Sequence, residues 1–254
     1  MREAFTYMFK DPGFRQKAFT YWFICFLTLL FVGASDVFKN SIATQTPTVS
    51  SVSSPFLNLL PFLSILLFAI LGGYYFVGVK AIFEQKNNIV LPFINSWKNF
   101  VKGVKFGIAF SLPFIIIAIF IYIFAHLMTN ILMVYLLACI LIAICTFSFI
   151  YSNSFYLLFA NEGKIFTYFR WKKVYEMLKN ANKKIYFRNL LLVLFVDILG
   201  GLLSSLFTYI FNILIVNSYV AWIITSAEGA LLAGGTAFVT MYLVAKSVES
   251  KTVV

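Results

Sequence analysis

Long apolar runs alternate with shorter polar intervals along this chain of 254 residues. Each run approaches or exceeds the length of about 20 helical residues that crosses a hydrocarbon layer roughly 30 Å thick. The runs favour helices, because the strands of a membrane barrel alternate in polarity residue by residue. The pattern therefore predicts an all-α polytopic transmembrane helix bundle that forms one integral membrane domain, 1–254. The six predicted spans are approximately 18–34, 55–79, 106–127, 131–151, 190–216 and 220–245.

Two boundaries need comment. Residues 35–54 are rich in Ser and Thr and predict a polar outer loop. The fourth apolar run continues to Ala160, which would make a helix of about 45 Å at 1.5 Å per residue. Because that length exceeds the hydrocarbon layer, we expect this span either to tilt or to end near Tyr151.

Amphipathic helices are predicted before spans one, three and five, on the same side of the membrane. The first lies within residues 1–17 and is stopped by Asp11-Pro12-Gly13. The second, residues 93–105, and the third, residues 171–185, each have an apolar face opposite a basic one. The second is expected to lie flat at the headgroups, and the third either lies among anionic headgroups or packs on the ends of the spans. The predicted headgroup contacts are Lys98, Lys102, Lys105, Lys172, Lys173, Lys179, Lys183 and Lys184.

The distribution of charge sets the predicted orientation. Only 11% of residues are charged and the net charge is +11. With six spans, nineteen of the twenty Lys and Arg residues fall on one side, and Lys39 alone falls on the other. Basic loops stay in the cytoplasm, so we expect a protein of the cell (inner) membrane with both termini cytoplasmic. The basic residues flank apolar spans, which favours anionic lipid headgroups as partners and disfavours nucleic acid.

Two acidic residues, Asp197 and Glu228, are the candidate intramembrane polar sites, because an ionisable group in a span is a functional candidate by default. Asp197 is expected to face the bundle, protonated or paired with a basic residue; the alternative is an ion or proton site. Glu228 lies either in a first helical turn capped by Ser226 at the outer interface or deeper, against partner helices. At a predicted separation of about 13 Å, the two acids are not expected to form a dyad.

Catalytic and cofactor motifs are absent from the sequence. It has no P-loop, no dinucleotide fingerprint, no H-E-x-x-H and no G-x-S-x-G. It has one histidine, His126, and three cysteines inside apolar runs, so we predict no catalytic, cofactor-binding or metal-binding residues. The leading hypothesis is a non-catalytic accessory, scaffold or small transport-type membrane component. A transporter or channel using Asp197 is the alternative, and a lipid-acting intramembrane enzyme is the third.

Pairs of small residues four apart also mark close helix contacts. They are Ala69 with Gly73, Gly200 with Ser204, Gly201 with Ser205 and Ala230 with Gly234. These pairs serve either packing within the chain or contact with a membrane-protein partner or a second copy.

Three short motifs support a family resemblance. They are Phe9-Lys10-Asp11-Pro12 followed by Phe14 and Lys17, then Gly72-Gly73-Tyr74, then Leu91-Pro92 followed by Trp97, Phe100 and Gly103. Together they resemble a broad prokaryotic family of polytopic membrane proteins known only as a domain of unknown function. The motifs cover residues 5–120. The resemblance implies an integral membrane role and supplies no activity or site.

Overall fold

The computed structural model describes residues 2–45, 55–85, 89–127, 131–215 and 218–248, and nearly all of them are helical. The all-α prediction is therefore confirmed. The helices are α1 (Arg2–Lys10), α2 (Phe14–Gln45), α3 (Pro55–Glu84), α4 (Ser96–Leu127), α5 (Ile131–Glu162), a 3-10 helix (Ile165–Phe169), α6 (Trp171–Asn180), α7 (Lys183–Leu214) and α8 (Ser218–Ser247).

Five segments of the described chain are long and apolar enough to cross a membrane. They are Phe14–Ala34, Leu59–Glu84, Ala138–Glu162, Lys183–Phe211 and Tyr219–Ser247. These segments are compatible, in length and composition, with a multi-pass membrane protein. The remaining predicted span, 106–127, lies within α4 and stays a prediction. Parts of the predicted outer connections, at 46–54, 128–130 and 216–217, lie outside the described residues.

Helix α8 lies at the centre of the bundle, in contact with α1, α2, α3, α5 and α7. The core gathers at the predicted cytoplasmic ends of the spans, where apolar side chains are fully buried. Its largest members include Tyr74, Val79, Ile82, Leu157, Phe159, Met241 and Val244. Helix α7 differs from this core, because only 6% of its 18-residue apolar stretch is buried inside the protein. Most of α7 therefore faces the surroundings of the bundle.

Helices α3 and α4 approach each other at two glycines. A Cβ added to Gly73 would lie 1.7 Å from the backbone oxygen of Asn99, and one added to Gly103 would lie 1.8 Å from that of Ala69. No larger residue fits at either position without moving a backbone. The small pair Ala69 and Gly73 thus serves packing within the chain. Gly201, from another small pair, is exposed and has open space around its Cβ position.

The second amphipathic segment is not a separate helix lying flat at the headgroups, and that prediction is wrong. Residues 89–95 are irregular, and α4 begins at Ser96. The Asn95 side chain accepts a hydrogen bond from the Lys98 N–H at 3.1 Å, which caps the new helix. From there α4 runs without a break into the predicted third span. Gly103 does not end the helix, because its close contact with α3 holds it in place.

The other boundaries also shift. Helix α2 continues to Gln45, so the first part of the predicted outer loop is helical. Helix α5 continues to Glu162, so the predicted end near Tyr151 is wrong. The third amphipathic segment is broken: α6 ends at Asn180, and Asn182 then caps α7 by accepting the Lys184 N–H. The sequence pattern did not predict this break, because the apolar residues of the segment 171–185 fall on one face when it is taken as a single helix.

The C-terminal half of α5 is joined to α7 by Tyr186. The Tyr186 hydroxyl donates to the Ile150 carbonyl at 2.7 Å and accepts from the Ser154 N–H at 3.4 Å. These two backbone groups are one helical turn apart, so the hydroxyl inserts into the ladder of α5. Tyr186 is fully buried. This contact fixes the position of α5 relative to the start of α7.

Candidate functional site

A groove of about 280 Å³ lies between α5 and α7, with contributions from α4 and α6. Among the described residues, α5 and α7 both pack on α8 and on α6, but few of their residues contact each other. The groove is the space left between these two helices. Its lining residues are Phe110, Ser148, Phe149, Tyr151, Ser152, Phe155, Tyr156, Trp171, Leu190, Val193, Leu194 and Asp197.

Among the described residues that line the groove, Asp197 is the one that carries a charged group. It lies on α7, nine residues after Arg188, which places it about 13 Å further along the helix axis. Asp197 is exposed, and it forms no ion pair with any residue that the structure describes. It lines the groove between helices of the bundle, and whether it is protonated or serves an ion or proton site stays a prediction. Sequence periodicity did not show that Asp197 lines a groove, because nearly every face of α7 is apolar.

The walls of the groove are held by ring contacts. The Trp171 ring lies 5.0 Å from that of Phe147 and 6.4 Å from that of Tyr151, centroid to centroid. The Phe147 and Tyr151 rings are 4.4 Å apart. Ser152 donates its hydroxyl to the Phe149 carbonyl at 2.8 Å, so this donor is used within α5. The groove is therefore lined by aromatic side chains and a carboxylate.

Glu228 lies in the interior of α8, and the prediction that it occupies a first turn capped by Ser226 is wrong. Helix α8 begins at Ser218, because residues 218–227 contain no helix breaker. Both carboxylate oxygens of Glu228 are buried, with no hydrogen-bond partner among the described residues. Trp22 of α2 donates to the carbonyl of neighbouring Ala227 at 3.3 Å. This burial agrees with the alternative that places Glu228 against partner helices, and its depth in the membrane stays a prediction.

The register of α7 on α8 places the two acids at different depths. A Cβ on Gly200 would meet Thr236 at 2.8 Å, and one on Gly229 would lie 3.8 Å from the Ser204 hydroxyl. Asp197 therefore lies beside a position of α8 that is about ten residues from Glu228, which is roughly 15 Å along the helix axis. This separation agrees with the prediction that they do not form a dyad.

A buried ion pair between Asp11 and Lys17 is the main polar feature that sequence reasoning missed. The Lys17 ammonium lies 2.9 Å from Asp11 Oδ2, and the two side chains are 2% and 1% exposed. Asp11 also accepts the Leu91 N–H at 2.9 Å and the Gly13 N–H at 3.0 Å. Lys17 lies 4.9 Å from the centroid of the Phe93 ring. One carboxylate thus joins the turn after α1 to the connection between α3 and α4.

The charge state of Asp11 follows from these contacts. Burial acts to raise the pKa of the carboxyl, but the hydrogen bonds from Lys17, Leu91 and Gly13 outweigh it and hold the pKa below its usual range. Nearby, the Tyr74 hydroxyl donates to the Pro92 carbonyl at 3.1 Å. Residues from all three short motifs therefore meet at this end of the bundle, and their contacts are structural.

Two of the predicted headgroup lysines make contacts within the protein. Lys102 donates to the Ala160 carbonyl at 2.8 Å, which caps the C-terminal end of α5. Burial, reinforced by the charge of Lys80, lowers the pKa of Lys102 to about 8. Lys173 pairs with Glu162 at 2.9 Å and remains half-exposed. The remaining members of the set are exposed: Lys98, Lys105, Lys172, Lys179, Lys183 and Lys184. Headgroup binding by these lysines stays a prediction.

The third amphipathic helix also packs on the protein. Val174 is fully buried where α6 contacts α5 and α7. Trp171 and Tyr175 are 37% and 55% exposed on the same helix. The contacts of Val174 favour the packed alternative for this part of the surface, while the exposed rings leave an apolar edge available to lipid.

Metal or thiol chemistry receives no support from the described side chains. No three His, Cys, Asp or Glu side chains within the described ranges lie close enough to hold a metal ion. Cys25 is buried and unpaired, and Cys139 and Cys145 are exposed and unpaired. Comparison with known proteins adds no assignment: no family model, no curated protein and no solved structure matches the chain.

Proposed function

We propose that this chain is a non-catalytic component of the cell (inner) membrane that binds a membrane-borne molecule in the groove between α5 and α7. In this proposal the chain crosses the membrane six times and keeps both termini in the cytoplasm. Its exposed lysines contact anionic headgroups at that face. The groove is the observation that carries the proposal, and the resemblance to a polytopic family agrees with it.

The position of the groove supports binding from the lipid phase. It opens between two helices that are long and apolar enough to cross a membrane, α5 and α7. The exposed residues beside it on α7 are apolar, including Leu191, Phe195 and Ile198. A volume of about 280 Å³ is near the lower end of the range for small-molecule pockets, so it suits a compact group or one lipid chain segment.

A photo-crosslinking experiment tests this proposal. A benzophenone side chain replaces Leu194 in the groove, and a matched variant carries it at Leu202, which is 63% exposed on the same helix outside the groove. The proposal predicts a discrete, saturable adduct at position 194 and only bulk lipid adducts at position 202. Identical adducts at both positions, with no saturation, would contradict a binding role for the groove.

A transport role is the second candidate, and the exposed acid in the groove is the observation that favours it. An acid at a span centre costs about 2.5–3.5 kcal/mol on insertion scales, which a merely structural position would not require. If Asp197 lies on a transport pathway, Asp197→Asn abolishes flux of the bound molecule into proteoliposomes. Unchanged flux in that variant removes the transport role and leaves the binding role intact.

A further inference from the structure

We infer that the groove binds an amphipathic organic cation, with its ammonium group at Asp197 and its apolar body against the aromatic walls. This inference rests on the proposed binding function of the groove, and it specifies the chemical class of the ligand. It depends on the charge of the lining, on its aromatic content and on the number of oxygen ligands that it offers.

The charge of the lining favours a positive occupant. Asp197 is exposed in the groove, and the described lining residues include no Lys, Arg or His. No basic residue in the described part of the chain forms an ion pair with it. A carboxylate left alone between spans is costly, so a bound cation stabilises it where the protein itself supplies none. An anionic ligand would be repelled at the same point.

The aromatic content of the lining suits an ammonium group. Half of the lining residues are aromatic: Phe110, Phe149, Tyr151, Phe155, Tyr156 and Trp171. Ring faces attract cations within about 6 Å through their quadrupole, and the attraction grows when the site is shielded from water. A quaternary ammonium group in the groove is therefore attracted by the aromatic rings and also by the carboxylate of Asp197.

A metal cation fits this groove less well than an organic one. Ca²⁺ takes six to eight oxygen ligands and Mg²⁺ prefers an octahedral set. The groove supplies one carboxylate, and its walls are mostly carbon. An ammonium group attached to an apolar body uses both features, because the body buries the aromatic and aliphatic surface while the charge meets Asp197.

Equilibrium binding of a matched pair of probes tests the inference. The cationic probe is dodecylbenzyldimethylammonium, and the neutral probe has carbon in place of the nitrogen. Binding to the full chain in nanodiscs of zwitterionic lipid is measured by scintillation proximity, with empty nanodiscs correcting for partition into lipid. The variants are Asp197→Asn, Asp197→Glu and, as a second intramembrane acid outside the groove, Glu228→Gln.

The wild-type chain is expected to bind the cationic probe at least about tenfold more tightly than the neutral one. Asp197→Asn should remove this preference, while Asp197→Glu and Glu228→Gln should keep it. Equal binding of both probes to the wild-type chain overturns the cation inference and leaves the groove as an apolar site. A preference that survives Asp197→Asn also overturns it.

Two further outcomes separate this inference from the proposed function. If neither probe binds but the benzophenone at position 194 captures a protein, the occupant is a partner helix, and the organic-cation inference is wrong. If neither probe binds and position 194 yields only bulk lipid adducts, the proposed function fails together with the inference.

Discussion

Removing the Asp11 carboxylate should strongly destabilise the bundle. In Asp11→Ala, the Lys17 ammonium stays 98% buried without its counter-charge, and the Leu91 N–H loses its acceptor. Breaking a buried pair by removing one partner costs about 3–5 kcal/mol. Because the free energy of unfolding of a protein is typically only about 5–15 kcal/mol, this loss is a large share of it.

Unfolding in mixed micelles with increasing SDS, followed by circular dichroism, measures this loss. The control is Glu84→Ala, which removes an exposed pair with Lys80 whose atoms are 3.7 Å apart. An exposed pair is worth about 0–1 kcal/mol, so the control should be nearly neutral. If Asp11→Ala is no less stable than Glu84→Ala, the ion pair does not hold the end of the bundle together, and our account of the motif residues is wrong.

Three further predictions follow from single contacts. Gly73→Ala should lower the stability by about 1–3 kcal/mol because its Cβ meets the α4 backbone, whereas neighbouring Gly72→Ala, with open space at its Cβ position, should not; thermal melting in detergent compares them. Tyr186→Phe should cost about 1–2 kcal/mol in the same assay, since two backbone groups of α5 lose a partner. The lowered pKa of Lys102 means that, from pH 8 to about 10.5, the unfolded chain binds a proton that the folded chain does not. The stability of the wild type relative to Lys102→Met should therefore rise with pH across that window, and a fall would contradict the assignment.

The positions of the helices were largely predictable because they follow from local sequence. The apolar run predicts the span that begins near residue 55, and the turn residues Asp11-Pro12-Gly13 predict the end of α1, which ends at Lys10. Such features depend on local sequence. A run of apolar residues buries the same surface in lipid whatever its tertiary neighbours are.

The boundaries at the predicted cytoplasmic face were harder to predict because tertiary contacts decide them. Helix α5 continues past Tyr151, where Tyr186 from another helix satisfies its backbone. Its end is then capped by Lys102, again from a distant part of the sequence. Neither contact leaves a periodic signal near α5.

The candidate site was predictable in part. Asp197 and Glu228 were identified by their position in apolar runs, but which of them is exposed was not. Periodicity assigns a face only when polar and apolar residues alternate around the helix, and α7 and α8 are apolar on most sides. The pairing of Asp11 with Lys17 was also missed, because six residues of separation across a Pro-Gly turn gives no helical face in common.

Labelling of single cysteines with a membrane-impermeant thiol reagent tests the central proposal, that the chain crosses the membrane six times with its basic face in the cytoplasm. The three native cysteines are first replaced, and cysteine is then introduced at Lys179, which is exposed on α6, or at Ser51, in the predicted outer connection. Our account predicts that, in intact cells, position 51 reacts and position 179 reacts only after the membrane is opened. Reaction of position 179 from outside intact cells would contradict it.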